Sequence, residues 1–89
     1  MTATTDLVTP IVHLNGTSRD SLLGQRSDAY DALEKAAAAL RQMAPNGRDY
    51  YLEEGRLQKA EAQHMRRLAT IRSLQDEIER EMHLICDDE

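Results

Sequence analysis

Two long stretches of this sequence carry apolar residues at spacings of three and four, and a Pro-Asn-Gly turn separates them. Because an α-helix brings residues three and four apart onto one side, this spacing predicts two long amphipathic helices. The first stripe consists of Leu22, Ala29, Leu33, Ala36, Leu40 and Met43. The second consists of Leu57, Ala60, His64, Leu68, Ile71, Leu74, Ile78, Met82 and Ile85. The pattern therefore predicts an all-α chain.

Local signals set the bounds of the two predicted helices. Thr17 is a natural N-cap, and Asp20 three residues later approximates a capping box with its carboxylate at the positive helix end. Pro45 ends the first helix, because proline resists helical continuation. Since the connector is short, the helices should be antiparallel neighbours in a helical hairpin. The predicted ranges are 17–89 for the hairpin, about 18–43 for the first helix, 44–55 for the connector and about 56–86 for the second helix.

Residues 1–16 differ in composition from the rest of the chain. They are rich in Thr and Val and contain a proline, which favours extended structure over helix. Residues 11–14, Ile-Val-His-Leu, suit a short strand or an arm laid across a partner subunit. The expected fold is thus an antiparallel two-helix hairpin with an extended N-terminal arm or short strand.

The chain is short enough that its core needs support. It has 89 residues and a single cysteine, Cys86, so we expect one small domain without a disulfide. Two helices bury only the seam between them, and the flanking apolar positions would stay in water. We therefore expect a homo-oligomer, either a homodimeric four-helix bundle or a larger ring.

Charge and hydropathy limit the kinds of molecule that this chain is expected to bind. The net charge is −5, and the tail from Gln75 onward carries seven acids against Arg80 alone. Such a tail repels phosphates, which argues against general nucleic-acid binding. The chain has neither a signal-peptide pattern nor an apolar stretch long enough to span a bilayer. We therefore expect a cytoplasmic protein without membrane contact.

The start of the first predicted helix is one candidate binding site. Asn15, Gly16, Thr17 and Ser18 would expose backbone N–H groups and hydroxyls at the positive end of the helix dipole, where phosphate or carboxylate can bind. The alternative is a helix cap and nothing more. Arg26 interrupts the apolar stripe two turns later. It either reaches solvent at the edge of the seam or faces an anionic ligand from a partly buried position.

The connector is a second candidate. Tyr50 and Tyr51 stand beside Arg48 in a chain with three tyrosines and no Phe or Trp. An aromatic face with a guanidinium group can hold a nucleobase and its phosphate. Alternatively, the tyrosines close the end of the bundle core. Because Arg48 and Thr17 are expected at opposite ends of one hairpin, a joint site would need a second subunit.

A third candidate is a metal site. Glu61 and His64 form a Glu-x-x-His motif, and antiparallel pairing across the connector would bring Glu34 near their level. A dimer would then supply the ligand set of a ferritin-like di-metal carboxylate bundle. Alternatively, Glu61 is a solvent-exposed carboxylate and His64 a packed residue. No nucleophile–base pair is present, so we expect a non-enzymatic protein without a cofactor.

Three short motifs carry a resemblance to a known group of proteins. The segments VHLNGTS, APNGRDYY and HMRRLATI resemble small phage and prophage proteins with a His-Leu-Asn-Gly-Thr-Ser opening and an Asn-x-Arg-Asp-Tyr-Tyr connector. The similarity runs from Val12 to about Leu74. It implies a phage-encoded protein in the host cytoplasm. Small phage accessory proteins often antagonise host defence, by sequestering a nucleotide signal or by blocking a host protein.

Three functional hypotheses follow. The leading one is a counter-defence protein that sequesters a small anionic, nucleotide-like ligand through Asn15, Gly16, Thr17, Ser18, Arg26, Arg48, Tyr50 and Tyr51. The alternative is a helical protein–protein interaction module that inhibits or scaffolds a host or phage protein. The third is a di-metal carboxylate bundle at Glu34, Glu61 and His64.

Overall fold

The computed structural model describes residues 7–87 and folds them into two α-helices. Helix α1 spans Arg19–Arg41, and helix α2 spans Arg56–Asp87. At about 1.5 Å per residue they are roughly 35 and 48 Å long. The two helices pack against each other as a hairpin, which confirms the predicted all-α class.

The segment before α1 does not form the predicted short strand. Residues 7–18 contain neither helix nor strand. A strand needs a neighbour with which to exchange backbone hydrogen bonds, and the described chain offers only helices beside this segment. Leu7 instead lies in a shallow depression with Arg80, His83 and Leu84 of α2. Residues 1–6 of the predicted arm, like residues 88 and 89, lie outside the described residues.

The N-cap of helix α1 lies one residue later in the sequence than predicted. Ser18, not Thr17, is the N-cap: its backbone is extended, at φ −65° and ψ 155°, and its hydroxyl accepts a hydrogen bond from the Ser21 N–H at 3.1 Å. The change from extended to helical backbone falls between Ser18 and Arg19. The cap hydroxyl must therefore come from Ser18. Asp20 remains in the first turn, near the positive end of the helix.

Helix α1 also ends earlier than predicted, at Arg41. The N–H groups of residues 42–44 bond to carbonyls three residues back, which tightens the chain into turns, and Pro45 then disfavours helical backbone at Ala44. The connector then forms a 3₁₀ turn at Gly47–Asp49. Gly55, with φ +82°, immediately precedes α2 and adopts a left-handed conformation that glycine tolerates without strain.

Side-chain contacts across the seam define the register of the antiparallel pair. Arg26 of α1 meets Glu81 of α2, and Gln75 bonds to Glu34. Arg41 lies in the same depression as Met65. Helix α2 has 32 residues and α1 has 23, a difference of nine. This excess lies at the start of α2, which runs past the end of α1 beside the connector.

The core is small. Among the described residues, the buried side chains are Leu22, Ala37, Ile85 and a single polar residue, Gln75. All other apolar residues between Leu7 and Asp87 are at least partly exposed, including Met65 and Leu74. The hairpin therefore buries one seam and leaves apolar surface on both of its broad sides.

Candidate functional site

A groove runs along one broad side of the hairpin, between the two helices. Its walls are Leu23, Tyr30 and Ala37 from α1, with Met65, Leu68 and Met82 from α2. Leu23, Tyr30 and Ala37 are seven residues apart, and Met65 and Leu68 are three apart with Met82 fourteen residues further on, so each set lies on one side of its helix. We refer to this surface as the groove.

The end of the groove nearest the connector is the most polar part. A depression of about 310 Å³ lies there, with Ala37 and Leu68 among its apolar lining and with Arg41 and Arg72 beside them. Arg41 is 3.9 Å from the Glu34 carboxylate, and both side chains are about half exposed, so this ion pair is weak. Both cations are therefore available to an acidic group that enters the groove.

Gln75 lies beneath this depression. Its side chain is 1% exposed, and its Nε2 donates to Glu34 Oε1 at 3.1 Å and to the Tyr30 carbonyl at 3.4 Å. Its Oε1 is buried and accepts no hydrogen bond. A buried acceptor without a donor destabilises the fold by about 1–3 kcal/mol. The seam therefore contains an acceptor to which no described residue donates a hydrogen bond.

The other end of the groove is more apolar. Leu23, Met82 and Cys86 line a depression of about 330 Å³, which adjoins a second depression beside Tyr30. Glu79 borders both depressions. The groove thus combines an apolar lining with cations at one end and a carboxylate toward the other. Such a surface suits an amphipathic peptide segment better than a small, highly charged ligand.

The predicted anion site at the start of α1 has the geometry of a capped helix. The Gly16 N–H donates to the His13 carbonyl at 3.1 Å, closing a turn. A Cβ at Gly16 would lie 2.7 Å from the imidazole Nε2 of His13, so the ring packs directly against this glycine. The Ser18 hydroxyl is used by the cap, while Asn15 and Thr17 are exposed. Each of these contacts is accounted for by the turn and the cap.

Arg26 is paired within the chain. Its Nε and Nη2 donate to Glu81 Oε2 at 3.2 and 3.0 Å, and the two side chains are only 24% and 17% exposed. Its Nη1 also donates to Gln25 Oε1 at 3.2 Å. The guanidinium group therefore bridges the two helices across the seam. Its charge is already balanced by a carboxylate, which leaves it poorly suited to hold a separate anion.

The predicted aromatic site lies in the connector. Arg48 is exposed in the 3₁₀ turn, Tyr50 is half-buried, and Tyr51 is 75% exposed. The length of α1, about 35 Å, separates these residues from Ser18. Within one chain the two halves of the predicted ligand site therefore do not meet.

The predicted metal arrangement is wrong in its register. Glu34 accepts a hydrogen bond from Gln75, so it lies about eleven residues along α2 from His64. Glu61 and His64 belong to the part of α2 that extends past the end of α1. Among residues 7–87, no group of three or more His, Cys, Asp or Glu side chains is placed to hold a metal ion.

Two features of the site were not anticipated from the sequence. One is the groove itself, and the other is the partner of Arg26. The sequence contains a signal for Glu81 as the partner of Arg26. Glu81 is next to the apolar stripe of α2, and Arg26 interrupts the apolar stripe of α1. Opposite charges in two facing stripes are a recognisable signal once the register is known.

Comparisons add no relatives to this description. No family model, curated protein or solved structure matches the chain. Neither α1 nor α2 is long and apolar enough to cross a membrane. The function must therefore be inferred from the surfaces of the hairpin.

Proposed function

We propose that this protein is a non-enzymatic, phage-type accessory protein that binds a segment of another protein in the groove. The main support for this proposal is the groove itself, an uncovered apolar channel between α1 and α2 with Arg41 and Arg72 at one end. Two helices leave such a channel open because a helical bundle needs at least one more element to cover its seam. Binding to a host or phage protein would supply that element.

An amphipathic helix is the segment that fits this channel best. Helix-in-groove recognition places apolar side chains at three- and four-residue spacing against a lined groove. The bound segment would direct an acidic residue toward Arg41 and Arg72, and a basic residue toward Glu79. Since these charges lie at the rim, they would set the direction and specificity of the segment more than its affinity.

The sequence-based hypothesis of small-anion capture remains a second prediction, with a narrower basis. Arg26 is already paired with Glu81, and the Ser18 hydroxyl caps α1. A site in one chain would then rest on Arg48, Tyr50 and Tyr51 alone. Native mass spectrometry of the protein purified from cells tests it directly. A nucleotide-mass adduct that is lost in Arg48→Ala and Tyr50→Ala would replace the groove proposal.

Site-specific photo-crosslinking tests binding of a protein in the groove. A photoreactive amino acid at Met65 faces the groove, and the same substitution at exposed Ala62 on α2 serves as the matched control. In phage-infected and uninfected bacterial cells, we expect a discrete polypeptide adduct from position 65 and none from position 62. The charge reversal Arg72→Glu should reduce the yield from position 65. Equal yields from both positions, or no polypeptide adduct, would refute the proposal.

A further inference from the structure

The broad side of the hairpin opposite the groove is also apolar and uncovered. On α1 it carries four exposed alanines at three- and four-residue spacing, and on α2 it carries Leu74, which is 44% exposed, beside half-buried Ile78. We call this surface the alanine face; it consists of Ala29, Ala32, Ala36, Ala39, Leu74 and Ile78. Its alanines lie about 100–160° around α1 from the row formed by Tyr30 and Ala37, so a groove ligand would not cover them.

We propose that a second copy of this chain covers the alanine face. The two hairpins would stack face to face about a two-fold axis perpendicular to the helices. Helix α1 would then lie antiparallel to its copy, and α2 antiparallel to its own copy, in a four-helix bundle. This inference goes beyond the groove function and uses a different surface, so either can fail without the other.

The spacing of the alanines suits this symmetry. Ala32 and Ala36 lie equally far from residue 34, and so do Ala29 and Ala39. In an antiparallel pair with its axis at that level, each alanine of one copy faces an alanine of the other. Such small side chains allow two helix axes to approach to about 8 Å, the short end of helix packing distances. The row is therefore complementary to itself, as an isologous interface requires.

The charges of α2 independently favour an antiparallel copy. Residues 56–72 contain five Lys and Arg against one carboxylate, whereas residues 73–87 contain five carboxylates against one Arg. An antiparallel neighbour places the basic half of α2 beside the acidic half of its copy. A parallel neighbour would place like charges together along the whole helix. Charge complementarity thus selects both the orientation and the partner.

The two helices place the axis at the same level. The alanine row is centred at residue 34, and the charge change in α2 is centred at residue 72. Because Gln75 donates to Glu34, residue 34 lies beside residues 72–75 of α2. A two-fold axis must cross both helices at one level, and these two sequence patterns agree on it. Nothing in the fold of a single hairpin requires that agreement.

Arg67 and Glu77 are the side chains that this axis brings together. Each lies five residues from residue 72, on the edge of α2 that carries Leu74. Arg67 is exposed and Glu77 half-buried, and neither belongs to any ion pair among the described residues. In the dimer, Arg67 of each copy would pair with Glu77 of the other. The interface would contain this ion pair twice.

The surface is large enough for a stable dimer. The broad side that contains the alanine face runs along α1 from about Gln25 to Arg41, or about 25 Å, and two helices are roughly 20 Å wide. Each copy would contribute about 500 Å² and the pair about 1000 Å², which reaches the roughly 1000 Å² expected of a specific interface.

The same two-fold axis brings together two segments that lie at opposite ends of one hairpin, the connector and the N-terminal segment. It places the connector of one copy beside the N-terminal segment of the other. Both stretches expose large apolar side chains: Ile11 is 79% and Leu14 98% exposed, and Tyr51 is 75% and Leu52 88% exposed. Each end of the dimer would therefore bury apolar side chains that a single hairpin leaves in water.

Sedimentation velocity of the full chain tests the dimer. We expect a species of twice the 10.1 kDa chain mass. Ala36→Glu places a carboxylate in the centre of the alanine face and should give a monomer. Ala38→Glu, at an exposed position on the other side of α1, is the matched control and should remain a dimer. A monomeric wild type, an assembly larger than a dimer, or equal behaviour of the two variants would overturn the proposal.

A charge swap then tests the antiparallel pairing. Arg67→Glu and Glu77→Arg should each weaken dimerisation about tenfold or more, since two attractive pairs become two repulsive ones. The double variant should recover most of the affinity. Arg67 and Glu77 are about 15 Å apart within one helix, so recovery cannot come from a contact inside the chain. A double variant as weak as the single variants would exclude this geometry. Circular dichroism would verify that every variant keeps its helices.

Discussion

The replacement of Gln75 by leucine should stabilise this protein. Among the described residues, Gln75 is the one buried polar side chain, at 1% exposure, and its Oε1 accepts no hydrogen bond from any of them. Leucine is of similar size and would place apolar atoms in the same space between α1 and α2. The position follows the three- and four-residue spacing of the apolar stripe, so its side chain already points into the seam.

The magnitude follows from the contacts that are lost and gained. Removal of the unsatisfied acceptor contributes about 1–3 kcal/mol to the free energy of unfolding. The two lost bonds of Nε2 oppose this gain, nominally by about 0.5–1.5 kcal/mol each, but neither is expected to cost its full value. The bond to the Tyr30 carbonyl is long, at 3.4 Å, and the half-exposed Glu34 carboxylate can bond to water instead. We expect a net gain of about 1–2 kcal/mol, to which the apolar leucine side chain contributes.

Urea denaturation at one fixed protein concentration measures this change, since dimerisation would make stability depend on concentration. In thermal melts, a gain of 1 kcal/mol corresponds to a rise in Tm of roughly 4–8 °C for a domain of this size. Gln58→Leu is the matched control, because Gln58 is exposed on the same helix. It should change stability by less than about 0.5 kcal/mol. A Gln75→Leu variant less stable than the wild type would refute the assignment of an unsatisfied amide oxygen at Gln75.

The remaining predictions concern the cap, the turn and the ion pair, and equilibrium unfolding checks all of them. Ser18→Ala should lower the free energy of unfolding by about 1 kcal/mol and Thr17→Ala by much less, since only Ser18 caps α1; the reverse order would restore Thr17 as the cap. Gly55→Ala should cost about 1 kcal/mol because φ is +82° there, and no loss would exclude the left-handed conformation. Glu81→Ala should cost about 3 kcal/mol by leaving Arg26 unpaired, whereas a double replacement of Arg26 and Glu81 by leucine should be neutral or stabilising. A double variant as unstable as the single one would contradict this account.

The sequence was sufficient to predict the helices. Their existence follows from the spacing of Leu, Ile, Met and Ala residues over more than twenty positions, a signal too long to arise in a loop. Their bounds were correct to within two residues. The shift from Thr17 to Ser18 at the start of α1 reflects a competition between two adjacent hydroxyls, and the spacing of apolar residues does not decide between them.

The register between the two helices could not be predicted from the sequence. A hairpin built symmetrically about its connector would pair Glu34 with residues near His64. The structure pairs Glu34 with Gln75, because about nine residues of α2 precede the level at which α1 ends. That offset separates the residues of the predicted metal site and brings Arg26 to Glu81. An offset of about nine residues between the helices, which helical periodicity does not reveal, thus decided which side chains share a site.

The two broad sides of the hairpin call for different partners. When two copies stack so that their helices overlap as far as possible, the two-fold axis between them passes near the middle of α2. Arg72 lies at that level and borders the groove. The same symmetry on the groove side would therefore bring two Arg72 guanidinium groups together, which like-charge repulsion disfavours. On the alanine face, the axis passes between small apolar side chains and pairs Arg67 with Glu77. Self-association on the alanine face would leave the groove of each copy open. A dimer of this kind would present two grooves, and two linked grooves bind a multivalent partner far more tightly than one.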